Sequence, residues 1–163
     1  MATYDVLNEA TIAATPAEIV AAFLEEAAGR SRWWQPSLRM RPRGENPLPE
    51  IGAMVEITVS GEGRLWQRVG AARFTARVTA FDPDRRLVLE YFEGDFHGTE
   101  EWTLKPVDAG HTRVATRWRT DPQGALRLLA RFADVPGSYS KVMRDGFRAM
   151  ERFTAERRTE SPA

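Results

Sequence analysis

Apolar and polar positions alternate from the first residues of the chain. Between Tyr4 and Ala14, Val6, Asn8, Ala10 and Ile12 share one face, which predicts a strand. The period then changes, and 15-TPAEIVAAFLEEAAG-29 predicts a helix. Thr15 stands as N-cap, Pro16 takes the first helical position, where its missing N–H costs nothing, and Glu18 closes a capping box. Gly29 stops this helix, and Ile19, Val20, Phe23 and Leu24 make its buried stripe. The next segment, 30-RSRWWQPSLRMRPRGENPLPE-50, carries four prolines, which forbid a long element but permit one helical turn and a short strand.

From Gly52 to Thr120 the period is two. Val55, Ile57 and Val59 form one inward row, and 61-GEG-63 turns the chain into a polar-rich strand from about Leu65 to Val69. Phe74, Ala76 and Val78 form the next row, up to 82-DPD-84, and Leu87, Leu89 and Tyr91 the one after, up to 94-GDFHG-98. A last hairpin, residues 97–120, turns at 108-DAG-110. Short connections between alternating strands predict an antiparallel meander with one buried face. Beyond Pro122 the pattern predicts a short helix from Ala125 to Ala133, a break at Pro136-Gly137, and a long helix from Ser138 to Arg157. Tyr139, Met143, Gly146, Phe147, Met150 and Phe153 repeat there at helical spacing, the one apolar stripe long enough to cover the meander. The architecture expected is α+β: a curved six- to seven-stranded antiparallel sheet closed by a long C-terminal helix. Residues 1–157 form a single domain in this reading, and 158–163 a polar tail.

Composition narrows the function. The chain has 163 residues, one domain's worth, with 23 basic and 23 acidic side chains, so no overall field draws it to nucleic acid or an anionic membrane. The absence of cysteine excludes disulfides and thiol nucleophiles. The two histidines, His97 and His111, stand beside glycines at strand ends, so a zinc site lacks ligands; neither a metal nor a cofactor is expected. No nucleophile elbow, phosphate loop or dinucleotide fingerprint occurs. No apolar run approaches ~18 residues and no basic-then-apolar segment opens the chain, so the expectation is a cytoplasmic protein without integral membrane association. Arg64, Arg68, Arg73 and Arg77 read as the solvent face of the sheet; Arg64 or Arg68, beside Trp66, could instead turn inward to meet an acidic or phenolic ligand.

The last hairpin carries the chemical question. Trp102, Leu104, Val114 and Trp118 must face inward, because the alternate positions Thr103, Lys105, Arg113, Arg117 and Arg119 are mostly charged. Glu100 and Thr116 share the inward parity. An unpaired carboxylate in a dry core costs several kcal/mol or shifts its pKa until neutral. Three readings of Glu100 follow: a strand end that reaches solvent or an arginine, a polar contact for a ligand, or a general acid or base whose pKa burial has lifted. Of the five tryptophans, Trp102 reads as structural, whereas Trp34 and Trp66 lie near loops that would rim a cavity, where a rigid face with one N–H donor suits an aromatic guest. Met143 and Met150 are soft filler that tolerates a variable neighbour.

Five stretches, 33-WWQP-36, 82-DPDRRLVLEY-91, 94-GDFHGTEEWTLKP-106, 111-HTRVATRW-118 and 142-VMRDG-146, stand in an order and spacing that resembles the START-like (SRPBCC, helix-grip) superfamily, specifically its bacterial polyketide cyclase/dehydrase and lipid-transport group. The chaperone-ATPase-activator-like proteins, a neighbouring group, share the Trp-Trp-x-Pro signature. The resemblance implies a sheet curled round the last helix and a cavity for apolar or aromatic ligands, expected at roughly 300–1,000 Å³. The residues expected to contact a small hydrophobic ligand are Trp34, Trp66, Phe74, Tyr91, Glu100, Trp102, Thr116, Trp118, Tyr139, Met143 and Phe147. The chain departs from the closest subgroup at three of them: Tyr139 stands for a histidine, Glu100 for a small residue and Thr116 for a tyrosine. Ligand binding or carriage is the reading favoured, because Asn8, Glu100, Thr116 and Tyr139 include no evident acid–base pair. The alternatives are an aromatase/cyclase or dehydratase, with Glu100 and Tyr139 as candidate proton-moving groups, and an interaction protein like the chaperone activators.

Overall fold

The two-residue period becomes seven strands in the computed structural model, which describes residues 2–160. Chain order is β1 (Tyr4–Ile12), α1 (Pro16–Ala27), β2 (Leu38–Arg43), β3 (Met54–Val59), α2 (Arg64–Val69), β4 (Ala72–Asp82), β5 (Arg86–Gly94), β6 (Phe96–Asp108), β7 (His111–Pro122), α3 (Gly124–Leu129), a 3₁₀ turn (Ala130–Phe132) and α4 (Val135–Glu160). All neighbours in the sheet are antiparallel, in the order β1-β7-β6-β5-β4-β3-β2. The expected α+β fold with its closing helix is therefore the fold observed. Met143, Phe147 and Met150 of α4 are buried against the inner face, and Tyr139 is half-buried beside them.

Helix α1 opens with the expected capping box, Thr15 and Glu18 each accepting the other's backbone N–H. Its buried face, however, is Ile19, Ala22, Phe23, Glu26 and Ala27; Val20 and Leu24 are only half-covered. The rotation brings Glu26 inside, where it accepts Ser31 Oγ and the Trp33 N–H, both at 3.0 Å. Burial raises its pKa against the pull of those donors.

Two elements differ from expectation. The segment from Leu65 to Val69 is part of helix α2, not a strand. Trp66 and Val69, three apart, are the positions that pack on the core, so the relevant spacing is helical, and Gly63 and Gly70 delimit it with φ of 103° and 77°. Pro136 and Gly137 do not break the last helix either. They lie in its first turn, where proline loses no bond, and the Asp134 carboxylate accepts the Gly137 N–H at 3.0 Å. At its other end α4 runs through Glu160, with Arg158 paired to Glu18, so the stretch read as a tail starts inside the helix; 161–163 lie outside the described residues.

Two of the quoted stretches prove to be one contact. The Trp34 indole lies over Gly146 of α4, where a Cβ would collide with its ring, and Trp34 Nε1 donates to the Val142 carbonyl at 3.1 Å. Trp34 also stacks on Trp33 and meets Trp102 edge-on. The outer face of the sheet is laced by cross-strand pairs, among them Arg41–Glu56, Arg77–Glu90, Arg86–Glu101, Arg113–Glu9 and Arg117–Asp5. Exposed pairs of this kind contribute about 0.2–1 kcal/mol each, so they bias register more than they hold the fold.

Candidate functional site

Glu100 sits on the inner face of β6 opposite Leu89 of β5, so Tyr91 is its diagonal neighbour and Trp102 its neighbour along the strand. Tyr139 descends from α4. All three side chains donate to the one carboxylate: Tyr91 and Tyr139 hydroxyls to Oε2 at 2.7 and 2.8 Å, and Trp102 Nε1 to Oε1 at 2.5 Å. Glu100 is 6% exposed and pairs with no arginine, which removes the reading of a solvated strand end. Burial lifts its pKa above the ordinary carboxylate range while the three donors pull it back. Burial and the adjacent carboxylate push both phenols well above their usual range, so both keep their protons.

Aromatic rings surround this cluster. Tyr139 stacks on Trp118 at 4.1 Å, Tyr4 is also parallel to Trp118 at 5.7 Å, and Phe96 meets Trp118 edge-on. Phe74 packs on Tyr91 at 4.5 Å. Between the rings and α4 lies a cavity of about 40 Å³ whose lining includes Trp66, Phe74, Tyr91, Glu100, Trp118 and Tyr139. That is room for two or three waters at roughly 10–15 Å³ each. The expected 300–1,000 Å³ is not there, because the stacked rings occupy the space between sheet and helix. Trp66 forms part of the rim and also lines an adjoining surface cleft of about 340 Å³ with Ser60, Gly61 and Ser138.

The remaining candidates are placed as follows. Trp34 lines the cavity but is buried in the core rather than at a rim. Trp102 lines a second cavity of about 30 Å³ beside α1, and Phe147 meets it edge-on. Met143 is core, as is Thr116, whose hydroxyl has no hydrogen-bond partner among the described residues. Trp118 Nε1 is equally unpartnered. Each lies close enough to a phenol (Thr116 to Tyr139, Trp118 to Tyr91) to lower its pKa slightly, but neither is in bonding geometry. Arg64 and Arg68 are exposed and do not turn inward. Among the described residues, no group of histidines and carboxylates could hold a metal ion, and no helix is long and apolar enough to cross a membrane.

A family model for "polyketide cyclase / dehydrase and lipid transport" matches residues 4–153. The chain belongs to this family. The polyketide cyclase/dehydrase fold recurs in solved structures of low identity. Zhui aromatase/cyclase from Streptomyces sp. R1128 is 18% identical, with a TM-score of 0.67 over 96% of this chain and 95% of its own. A protein from Thermus thermophilus is 15% identical, with a TM-score of 0.69 over 94% and 98%. One from Rhodobacter sphaeroides is 22% identical, with a TM-score of 0.62 over 93% of each chain. No curated protein matches. On this polyketide cyclase/dehydrase scaffold, sequence reasoning placed Phe23, Ile57, Val59 and Leu89 inward without naming them as lining residues, and missed Leu38, Met40, Phe96, Val135, Ser138 and Val142 altogether. Val142 stands three residues after Tyr139 on the predicted helix and was open to detection, whereas Val135 lay beyond the expected break at Pro136-Gly137 and Phe96 in a stretch read as a turn.

Proposed function

We propose that this chain binds a small hydrophobic or aromatic molecule, lipid- or polyketide-like, between the sheet and α4, with the Glu100 cluster holding the guest's polar end. One observation carries the reading: a buried carboxylate, saturated by two phenols and an indole, on the wall of an otherwise apolar cavity. Stability alone gives no reason to keep such a group, since well-packed apolar residues in its place are often neutral or stabilising. While the phenols donate to Glu100 their oxygens keep lone pairs, which suit a guest hydroxyl as donor. The family description and the aromatase/cyclase of like fold support the class of guest. Access for it runs past Trp66, which lines both the cavity and the neighbouring cleft of about 340 Å³; with the indole moved, a guest seated in the cleft reaches the apolar interior and the Glu100 cluster. Helix α2 has no side-chain N-cap and a glycine at each end, so the indole, which packs on Gly61 and the edge of the core, is carried by a short helix free to move as a unit.

The test is mass spectrometry of apolar compounds carried through native purification, followed by readdition of the compound found. A guest that raises the melting temperature of the wild type, and does so less in Tyr139→Phe, is the expected result. A protein that carries no apolar compound and whose melting point no aromatic or acyl compound shifts would refute the reading. A second reading has its own observation: one oxygen shared by two phenols beside a carboxyl of raised pKa is a proton-transfer geometry. In that reading the chain is a cyclase or dehydratase.

A further inference from the structure

The zero net charge hides an uneven distribution. Many arginines on the outer face of the sheet meet carboxylates; Arg64 and Arg68 of α2 and Arg127 and Arg131 of the α3 segment are among those that form no ion pair with the described residues, as are Arg39 and Arg73 of the sheet. Those of α2 and the α3 segment stand at one end of the molecule. Helix α2 follows β3 at Val59 and α3 follows β7 at Pro122; Val59 pairs with Ala72, Phe74 with Gly94 and Phe96 with Pro122, so both helices leave the same end of the sheet. Two large apolar side chains are exposed there as well. Phe132 is 85% exposed and Leu128 62%, while Leu126 beneath them is buried and anchors the segment. Leu128 lies in the last turn of α3 and Phe132 in the 3₁₀ turn after it, each directly preceded by an exposed arginine, Arg127 and Arg131, so apolar and basic side chains are exposed side by side along one short segment. Two of the flanking acids are engaged elsewhere: Asp121 accepts the Thr3 N–H and hydroxyl at 2.7 and 2.6 Å, with Arg127 only the weakest of the groups that lower its pKa, and Asp134 caps α4; Glu62, before α2, is exposed.

We propose that this end of the molecule docks on an anionic lipid surface, Leu128 and Phe132 entering the acyl boundary and the four arginines meeting headgroup phosphates. Exposed apolar side chains beside unpaired arginines are what an interfacial segment needs, in the depth order a bilayer offers. A second copy fits less well, because a two-fold contact would set the arginines of one copy against those of the other. An acidic protein surface would answer the arginines but not the phenyl ring. The proposal is independent of what the cavity holds.

The experiment is co-sedimentation of the full chain with vesicles of phosphatidylcholine alone and of phosphatidylcholine mixed with phosphatidylglycerol. Binding to the mixed vesicles is expected, weakening as salt is raised. Arg127→Gln with Arg131→Gln should lower the partition by roughly ten- to thirtyfold. Phe132→Ser should lower it by about tenfold, with the melting temperature unchanged because the site is on the surface. The proposal is overturned by no binding to either vesicle, or by binding indifferent to Phe132→Ser. It is equally overturned if sedimentation velocity shows a dimer that Phe132→Ser dissolves, or if soluble polyglutamate competes as well as the vesicles bind.

Discussion

Both oxygens of Glu100 are occupied by donors, and one of them, the Trp102 indole, can only donate. In Glu100→Gln the amide oxygen therefore stays with Trp102, and the amide NH₂ faces two phenols that must turn to accept. Their hydroxyl hydrogens are then free to point into the cavity, which exchanges acceptors for donors. Denaturant unfolding should show a loss of about 1–2 kcal/mol, and a hydroxylated guest should bind roughly tenfold weaker or worse. If Glu100 moves protons instead, binding persists and turnover drops about 10²–10⁴-fold. The same variant tests the pKa. Because burial raises the native value, the unfolded chain ionises first, and the contribution present below about pH 4.3 is lost as pH climbs through the raised native pKa. The stability difference between the two proteins should move in favour of the glutamine form as pH rises over that window; a constant difference would show that the native pKa is unshifted. Glu26, raised in the same direction, is common to both and cancels. The inward parity of Glu100 and Tyr91 was legible in the alternation of their strands. Their convergence with Tyr139 on one oxygen was not, since it depends on the β5–β6 register and the angle of α4.

At the scale of elements, the contact between Trp34 and Gly146 fixes how α4 lies on the chain that follows α1. Alanine at Gly146 would gain about 1 kcal/mol of helix propensity. It would also drive a methyl into an indole already held by Val142, Trp33 and Trp102, and overpacking of that sort costs about 1–3 kcal/mol. Gly146→Ala should therefore lower the melting temperature despite the better helix former; a more stable variant would mean the indole can retreat. Strands and long helices were readable because their periods persist over many residues. Helix α2 was misread because six residues are too few to separate the two periods, and Trp66 fits either. Pro136 and Gly137 read as a break for the opposite reason: the start of a helix tolerates both residues that its interior rejects.

Over the whole molecule, the sheet, the covering helix α4 and the inward face of α1 account for most of the buried core, and that much follows from the order of the elements. The size of the cavity does not follow, because it depends on rotamers: Tyr139 lying flat on Trp118 consumes volume that the same residues would leave open in another arrangement. The gathering of Arg64, Arg68, Arg127 and Arg131 was equally invisible in a balanced total, since only the topology brings α2 and α3 to one end of the sheet. The sheet is also open, ending at β2, whose sequence is 38-LRMRPR-43. Pro42 interrupts the row of N–H groups there, and a second molecule laid along this strand would bring arginine against arginine. A curved sheet that never closes into a barrel thus guards one of its two margins, the β2 edge, against seeding the growth of fibres from one copy to the next.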